Sequence, residues 1–319
     1  MTRFLIVSTL LFIQLQVSAY AKNLFVDPSG NDSPCSYNRP CSSIQSAIDI
    51  AGSGDIININ AGRYKENLFI QTAGITLQGE NKRRVLITSA GGRDGATGNA
   101  GNPLDAIIEV RAGDISIFDL TLFHPRGRAT KREAAIFSWQ ESPRLHVRDT
   151  IISRRRNKRV DEPTIPGSRG IFIFSGPGSI IEDNIFTGNY QDHIHLPSKE
   201  VTVRNNKITG AARAGISVMD PVSFVGPNFF DSTKNIIVGN LIMNSIDDGI
   251  HIQGDQTIIR NNIIVKNQGY GIYLCGEGLG GGCYFPGEEA VSEDNLIKNN
   301  LVQNNLAGRL GDFGIGNRF

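Results

Sequence analysis

The stretch that decides the fold is "GIHIQGDQTIIRNNIIVKNQGY", residues 249–270. It opens on Gly followed by apolar, variable, apolar, carries an Asn further along, and the opening returns at once in "GIYLCG" from residue 271. The same frame fits "GIFIFSGPGSIIEDNIFTGNYQ" from 170, "HIHLPSKEVTVRNNKITGAARA" from 193 and "GISVMD" from 215. The recurring Asn falls at Asn184, Asn206, Asn240, Asn262 and Asn295, at intervals of 22, 34, 22 and 33. Two intervals are the bare unit, and two contain an insertion.

A unit this short, made of alternating apolar strands with no helical period, cannot bury its apolar face alone. It can do so by coiling, each turn stacking its strands in parallel on the turn before. Ile171, Ile194, Ile216, Ile250 and Ile272 then form one interior column, and Ile173, Leu196, Val218, Ile252 and Leu274 the next. The repeated Asn fits a ladder of side-chain amides bonded from turn to turn. A slip of one residue would turn every apolar set outward, so the register is strongly specified.

With these repeats, the chain resembles the right-handed parallel β-helix proteins of the pectate-lyase-like superfamily. The amino-terminal run "LFVDPSGNDSPCSYNRPCSSIQSAIDIAGSGDIININAGRYKENLFI", followed by "GITLQGE", is similar to how many of them begin. The resemblance implies an all-β fold, a single-stranded right-handed parallel β-helix with turns of about 22 residues, over 71–319. The cap and first strands are expected over 22–70. In "SSIQSAIDIA" the resemblance places a short capping helix, with Ser42 or Ser43 as its N-cap, over the open end of the coil. "GRYKE" at 62–66 is also similar to the Gly-x-Tyr-x-Glu of pectin esterases.

Residues 1–21 read as a secretory signal: Arg3, the apolar run "FLIVSTLLFIQLQV", then small Ala19 and Ala21 before a cut expected after Ala21. No later stretch approaches the roughly 18 apolar residues of a membrane span. An exported, soluble monomer is expected, in the periplasm, at the cell surface or outside the cell. Losing Arg3 reduces 32 basic side chains to 31, equal to the 31 acidic ones, so global charge names no partner. The four cysteines fall into two close pairs, Cys35 with Cys41 and Cys275 with Cys283, which in an exported chain read as two local disulfides.

Strand alternation locates a candidate site. In each "apolar, variable, apolar" strand the middle residue points outward. The outward column is Phe172, His195, Ser217, His251, Tyr273, which brings two of the chain's five histidines to one exposed face. Insertions at 220–231 and 275–289 leave the coil beside Ser217 and Tyr273 and carry the aromatics Phe224, Phe229, Phe230, Tyr284 and Phe285. On the opposite edge, "HPRGRATKRE" (124–133) and "RRRNKRVDEP" (154–163) hold nine basic residues, among them Arg126, Arg128, Arg154, Arg155 and Arg156. Such a lip beside a long groove suits an acidic polysaccharide. Nucleic acid is disfavoured, because no aromatics interleave those basic residues.

Removing a proton beside a uronate carboxylate needs a base, an acid and a group that neutralises the carboxylate. His251 is the expected base, Tyr273 the acid, Arg213 the carboxylate partner, and His195 a binder of the neighbouring sugar or a second base. Asp192 and Asp248 are expected to orient substrate, or to hold Ca²⁺ with Asp220 and Asp247. The function expected is a lyase or epimerase of an acidic glycan, the alternative being a non-catalytic glycan-binding or structural β-helix.

Overall fold

The computed structural model describes residues 20–31, 34–91, 104–125, 132–140, 142–155, 168–174, 176–188, 190–219, 232–276 and 292–319. Three parallel sheets wrap one core. A ten-stranded first sheet runs from Asn23–Val26 to Leu296–Lys298, a nine-stranded second from Leu68–Ile70 to Gly308–Asp312, and a nine-stranded third from Gly62–Lys65 to Leu301–Gln303. Each turn visits the second, first and third sheets in order: Arg169–Ile173, Ile180–Glu182 and Ile185–Thr187 complete one, and Asp192–Leu196 stacks on its start. The strands at 56–59, 62–65 and 68–70 already belong to these sheets, so the coil begins ahead of residue 71.

The interior columns are those read from the repeat. Ile171, Ile194, Ile216, Ile250 and Ile272 are register partners in succession. All five are at most 1% exposed, as are Ile173, Leu196, Val218, Ile252 and Leu274. Each buried aliphatic side chain contributes about 1.5–3 kcal/mol.

Register is held at the corners by amides. Asn184 Nδ2 donates to Asn206 Oδ1 at 3.1 Å, Asn206 to Asn240 at 3.0 Å, Asn240 to Asn262 at 3.0 Å and Asn262 to Asn300 at 2.9 Å. Each Oδ1 also accepts the backbone N–H of the preceding Asn, and each Nδ2 reaches a carbonyl such as Val203 O, 3.0 Å from Asn240. The fifth member is therefore Asn300, not the expected Asn295. The turn with the long insertion spans 38 residues between ladder partners, and Asn295 belongs to a different corner, where it accepts from Thr257 N–H and donates to Asn317. Similar Asn chemistry at two corners makes them indistinguishable by spacing once an insertion intervenes.

The residue ahead of each ladder Asn turns the corner in the left-handed region: Asp183, Asn205, Gly239, Asn261 and Asn299 have φ between 55° and 69°. Asn, Asp and Gly tolerate that region best. The doublets "DN", "NN" and "GN" in the sequence thus pair a corner residue with a ladder residue.

At the amino-terminal end, the helix Ile44–Ile50 packs Ile44, Ala47 and Ile48 onto the core. Ser43 is its N-cap, accepting from Ser46 N–H at 3.3 Å. Glu66, the acid of "GRYKE", accepts from Ile44 N–H (3.1 Å), Gln45 N–H (3.0 Å) and Ser43 Oγ (2.9 Å). Its charge lies where the helix dipole favours it, so this Glu is a cap. The expected Cys35–Cys41 disulfide is formed.

Replacing Asn240 with Ala would strand Asn206 N–H and Val203 O, whereas Asn206 Nδ2 keeps its bonds to Ile181 O and Arg204 O. With about 1–3 kcal/mol for each buried unpaired group, chemical denaturation is expected to show a loss of at least about 2 kcal/mol; a loss near zero would refute the ladder as the register lock.

Candidate active site

The second sheet breaks the simple alternation of its strands. At its entry two consecutive residues face inward, as Ile107 with Ile108 and Ala135 with Ile136 do in the core. In later turns the first of the pair is Gly170, His193, Gly215, Gly249 or Gly271. A Cβ on Gly249 would lie 2.4 Å from Ile264 Cγ2, and one on Gly215 2.5 Å from Ile242 Cγ2, which explains the repeated Gly. His193 occupies that inward position instead, fully buried, its Nε2–H donating to Thr209 O at 3.1 Å.

Two inward residues return the one before them to the outer face. Asp192 and His195 therefore lie side by side, three residues apart, and so do Asp248 and His251. His251 Nδ1 is 2.9 Å from Asp248 Oδ2. A carboxylate only accepts, so Nδ1 carries the proton and Nε2 bears the lone pair of the neutral ring. Asp248 Oδ1 accepts Tyr270 N–H at 2.8 Å, which fixes the carboxylate.

Tyr273 is the register partner of His251, their rings stacked with centroids 4.9 Å apart and planes at 19°. Burial, reinforced by the negative charge of Asp248, pushes the Tyr273 phenol up to about 12. It keeps its proton at neutral pH. The expected pair is thus assembled, but the column is not exposed: His251 is 1%, Tyr273 5% and His195 8% accessible. Rings stacked at the strand spacing shield one another, and outward columns flank them on both sides.

Arg213 does not stand alone either. Its Nε donates to Asp192 Oδ1 at 2.7 Å, its Nη2 to Asp192 Oδ2, and Nη2 lies 3.4 Å from Ser217 Oγ. Ser217 is the register neighbour of both His195 and His251, so this guanidinium stands one strand from the candidate base. Arg169 Nε is 3.0 Å from Asp192 Oδ2, and His195 Nδ1 is 3.2 Å from it. Burial alone would raise the Asp192 carboxyl, but Arg169 and Arg213 outweigh it and hold it well below the usual carboxylate range. Burial, aided by Arg169, pushes the His195 imidazole down to about 4, so His195 is neutral at pH 7.

Two of the carboxylates expected to hold Ca²⁺ have other partners. Asp192 is enclosed by two guanidinium groups, Asp248 is spent on His251 and Tyr270, and Asp220 lies outside the described residues. Among the described residues, no group of three or more His, Cys, Asp and Glu could hold a metal.

The basic lip needs one correction. Arg154 is 7% exposed, its Nε 2.8 Å from Glu133 Oε2, because it ends an inward-facing strand position beside buried His124. Arg155 is exposed. Arg126, Arg128 and Arg156 lie outside the described residues, as do Cys283 and the five loop aromatics; Cys275 is disulfide-bonded.

Sequence reading missed Arg169 and an outer aromatic cluster of Phe137, Phe172 and Phe174 with Trp139 packed against it. Phe172 stacks on Phe137 at 4.8 Å and lies 5.0 Å from His195. Extending the outward column below Phe172 would have found Phe137.

Asp192→Asn leaves Arg169 and Arg213 without their buried anion, and an unfolding free-energy loss of about 3–5 kcal/mol is expected. His193 and His195 both titrate at about 4 in the fold against an ordinary 6.5, burial being the main cause for each. Between those values the unfolded chain binds protons that the fold does not. Stability should therefore fall as pH drops from 6.5 toward 4, and replacing His193 with Gln should flatten that slope in denaturation curves.

Among solved structures, a pectin methylesterase from Erwinia chrysanthemi superposes with a TM-score of 0.57 at 14% identity, covering 92% of this chain and 93% of that one. The A-module of an Azotobacter vinelandii mannuronan C-5 epimerase gives 0.51 at 15%, covering 83% and 74%. A Yersinia enterocolitica family 28 exopolygalacturonase gives 0.58 at 14%, covering 91% and 67%. At such identities the likeness is one of fold. No curated protein matches at the level of sequence. The profile described as "Right handed beta helix region" matches residues 117–225 and 166–310, more than half of the 319 residues. The chain belongs to the right-handed β-helix family.

Proposed function

We propose that the protein is an exported lyase or epimerase of an acidic polysaccharide, acting by removal of the proton beside a uronate carboxylate. The observation that carries this reading is the Asp248–His251 pair with Tyr273 stacked one strand away. Asp248 holds the ring with Nε2 as the basic nitrogen and stabilises the imidazolium formed when His251 takes the proton. Tyr273, protonated at neutral pH, is the acid. Arg213, oriented by Asp192, meets the carboxylate and lowers the energy of the charge that spreads into it. His195, neutral, hydrogen-bonds the adjoining sugar, and the arginines of the lip, Arg155 among them, attract the chain.

Two outcomes share the first step. In a lyase the C–H electron pair becomes a C=C bond, the C–O bond to the leaving sugar breaks, and Tyr273 gives that oxygen its proton. In an epimerase Tyr273 gives the same carbanion a proton on the opposite face. Fold neighbours named for pectin and mannuronan support an acidic-glycan substrate. Export rests on the signal-like residues 1–21 and the disulfides. In the described residues no helix is long and apolar enough to cross a membrane.

The test is a panel of alginate, pectate, glucuronan and glycosaminoglycans, with and without Ca²⁺. The ultraviolet absorbance of unsaturated uronate reports a lyase, and solvent deuterium entering the uronate carbon an epimerase. His251→Ala and Tyr273→Phe are each expected to lower the rate by roughly 10²–10⁴-fold with the circular dichroism of the fold unchanged. Silence in both assays on every glycan, or full activity in His251→Ala, would sink the proposal.

A further inference from the structure

Gln253 stands two residues beyond His251, after the inward Ile252. The same position in other turns is filled by Trp139, Phe174 and Met219. Trp139 and Phe174 pack with Phe137 and Phe172 on the outer face, and Met219 Sδ touches Arg213. Gln253 therefore faces the same side as His251, about 6.6 Å along the strand at 3.3 Å per residue.

Its surroundings are unusual for an amide. Gln253 is 1% exposed, and its Nε2 donates to Cys275 Sγ at 3.3 Å. Among the described residues the carbonyl oxygen, Oε1, has no hydrogen-bond partner. Turning the amide over would set two acceptors, oxygen and sulfur, against each other, so the sulfur decides which end is left over. Cys275 is itself fixed by its disulfide and by its N–H bond to Ile252 O at 2.9 Å. A buried amide oxygen left unpaired costs about 1–3 kcal/mol. Methionine, present one turn earlier as Met219, would fill the position without that cost.

A second unpaired polar atom lies close by. Tyr273 Oη, on a side chain 5% exposed, also lacks a hydrogen-bond partner among the described residues. Two such atoms beside one candidate base, an acceptor and a hydroxyl, match a ligand that carries hydroxyl groups.

We propose that Gln253 is a specificity-determining residue: its Oε1 accepts a hydrogen bond from a ring hydroxyl of the sugar bound at His251, and the Cys275 sulfur braces the amide in that direction. This rests on the reading of the His251 face as the site for an acidic glycan. It adds which substrate group is recognised, and it makes the second disulfide part of the recognition. A site built around such a bond rejects the analogue that lacks the hydroxyl, because the acceptor is then buried unpaired.

The experiment is calorimetric binding of short uronate oligosaccharides, of pectate, alginate and glucuronan type, and of their ring-deoxy analogues, to wild-type protein and Gln253→Met. Turnover is measured separately. Wild type should prefer one hydroxyl-bearing ligand over its deoxy analogue by roughly 5–150-fold, the span of about 1–3 kcal/mol. Gln253→Met should bind the two alike, with a melting temperature equal to or above wild type because an unpaired group has gone. Replacing Cys275 and Cys283 together with Ser should shift discrimination toward that of Gln253→Met. Equal discrimination in wild type and Gln253→Met would overturn the inference, as would a lower melting temperature with unchanged binding, which marks a purely structural amide. Discriminating binding without turnover would remove the proposed reaction and leave this inference standing, whereas binding of no oligosaccharide would remove both.

Discussion

The amide ladder from Asn184 to Asn300 is the constraint on which the rest of this molecule depends. A parallel coil has no hairpins to set register, and its inward residues, mostly Ile, would pack nearly as well in a neighbouring alignment. What distinguishes one alignment is a buried amide at each turn that satisfies the backbone and side chain of the turn before it. The left-handed corner residues ahead of the ladder restrict where the chain can bend. Together they fix the strands of these turns relative to one another, and side chains more than thirty residues apart, such as Ser217 and His251, become neighbours.

That precision is what makes the outer face of the second sheet chemically interesting. The two inward residues at the entry of each strand bring Asp192 beside His195 and Asp248 beside His251. The two pairs have the same backbone geometry and different electrostatics. Arg169 and Arg213 converge on Asp192 beside His195, which burial keeps neutral, whereas Asp248 accepts from Tyr270 N–H and meets His251. One geometric device thus yields a charged clamp and a carboxylate–imidazole pair two strands apart.

Much of this was legible in the residues. The interior columns, the outward placement of His195, His251 and Tyr273 and the first disulfide follow from periodicity and local chemistry, which the chain cannot disguise, and the resemblance supplied the capping helix. The departures have physical causes. Asn295 stood in for Asn300 because insertions change the count while the corner chemistry stays the same. Arg154 read as part of a basic lip because a charge run in sequence does not reveal that one member ends an inward strand position opposite Glu133. Glu66 belongs to a run similar to one in pectin esterases, and here it caps a helix, since a carboxylate beside three donors is stabilised there whatever run surrounds it.

The sequence by itself determined the coil, its core and which side chains share a column, because a two-residue alternation repeated every turn leaves one way to bury the isoleucines. Only the tertiary structure decided which partners those side chains meet. The double inward step that joins Asp to His, the enclosure of Asp192 by two arginines and the sulfur that orients Gln253 all join groups on different turns or across a corner. Their distances depend on how the chain bends there, and alternation carries no information about a bend.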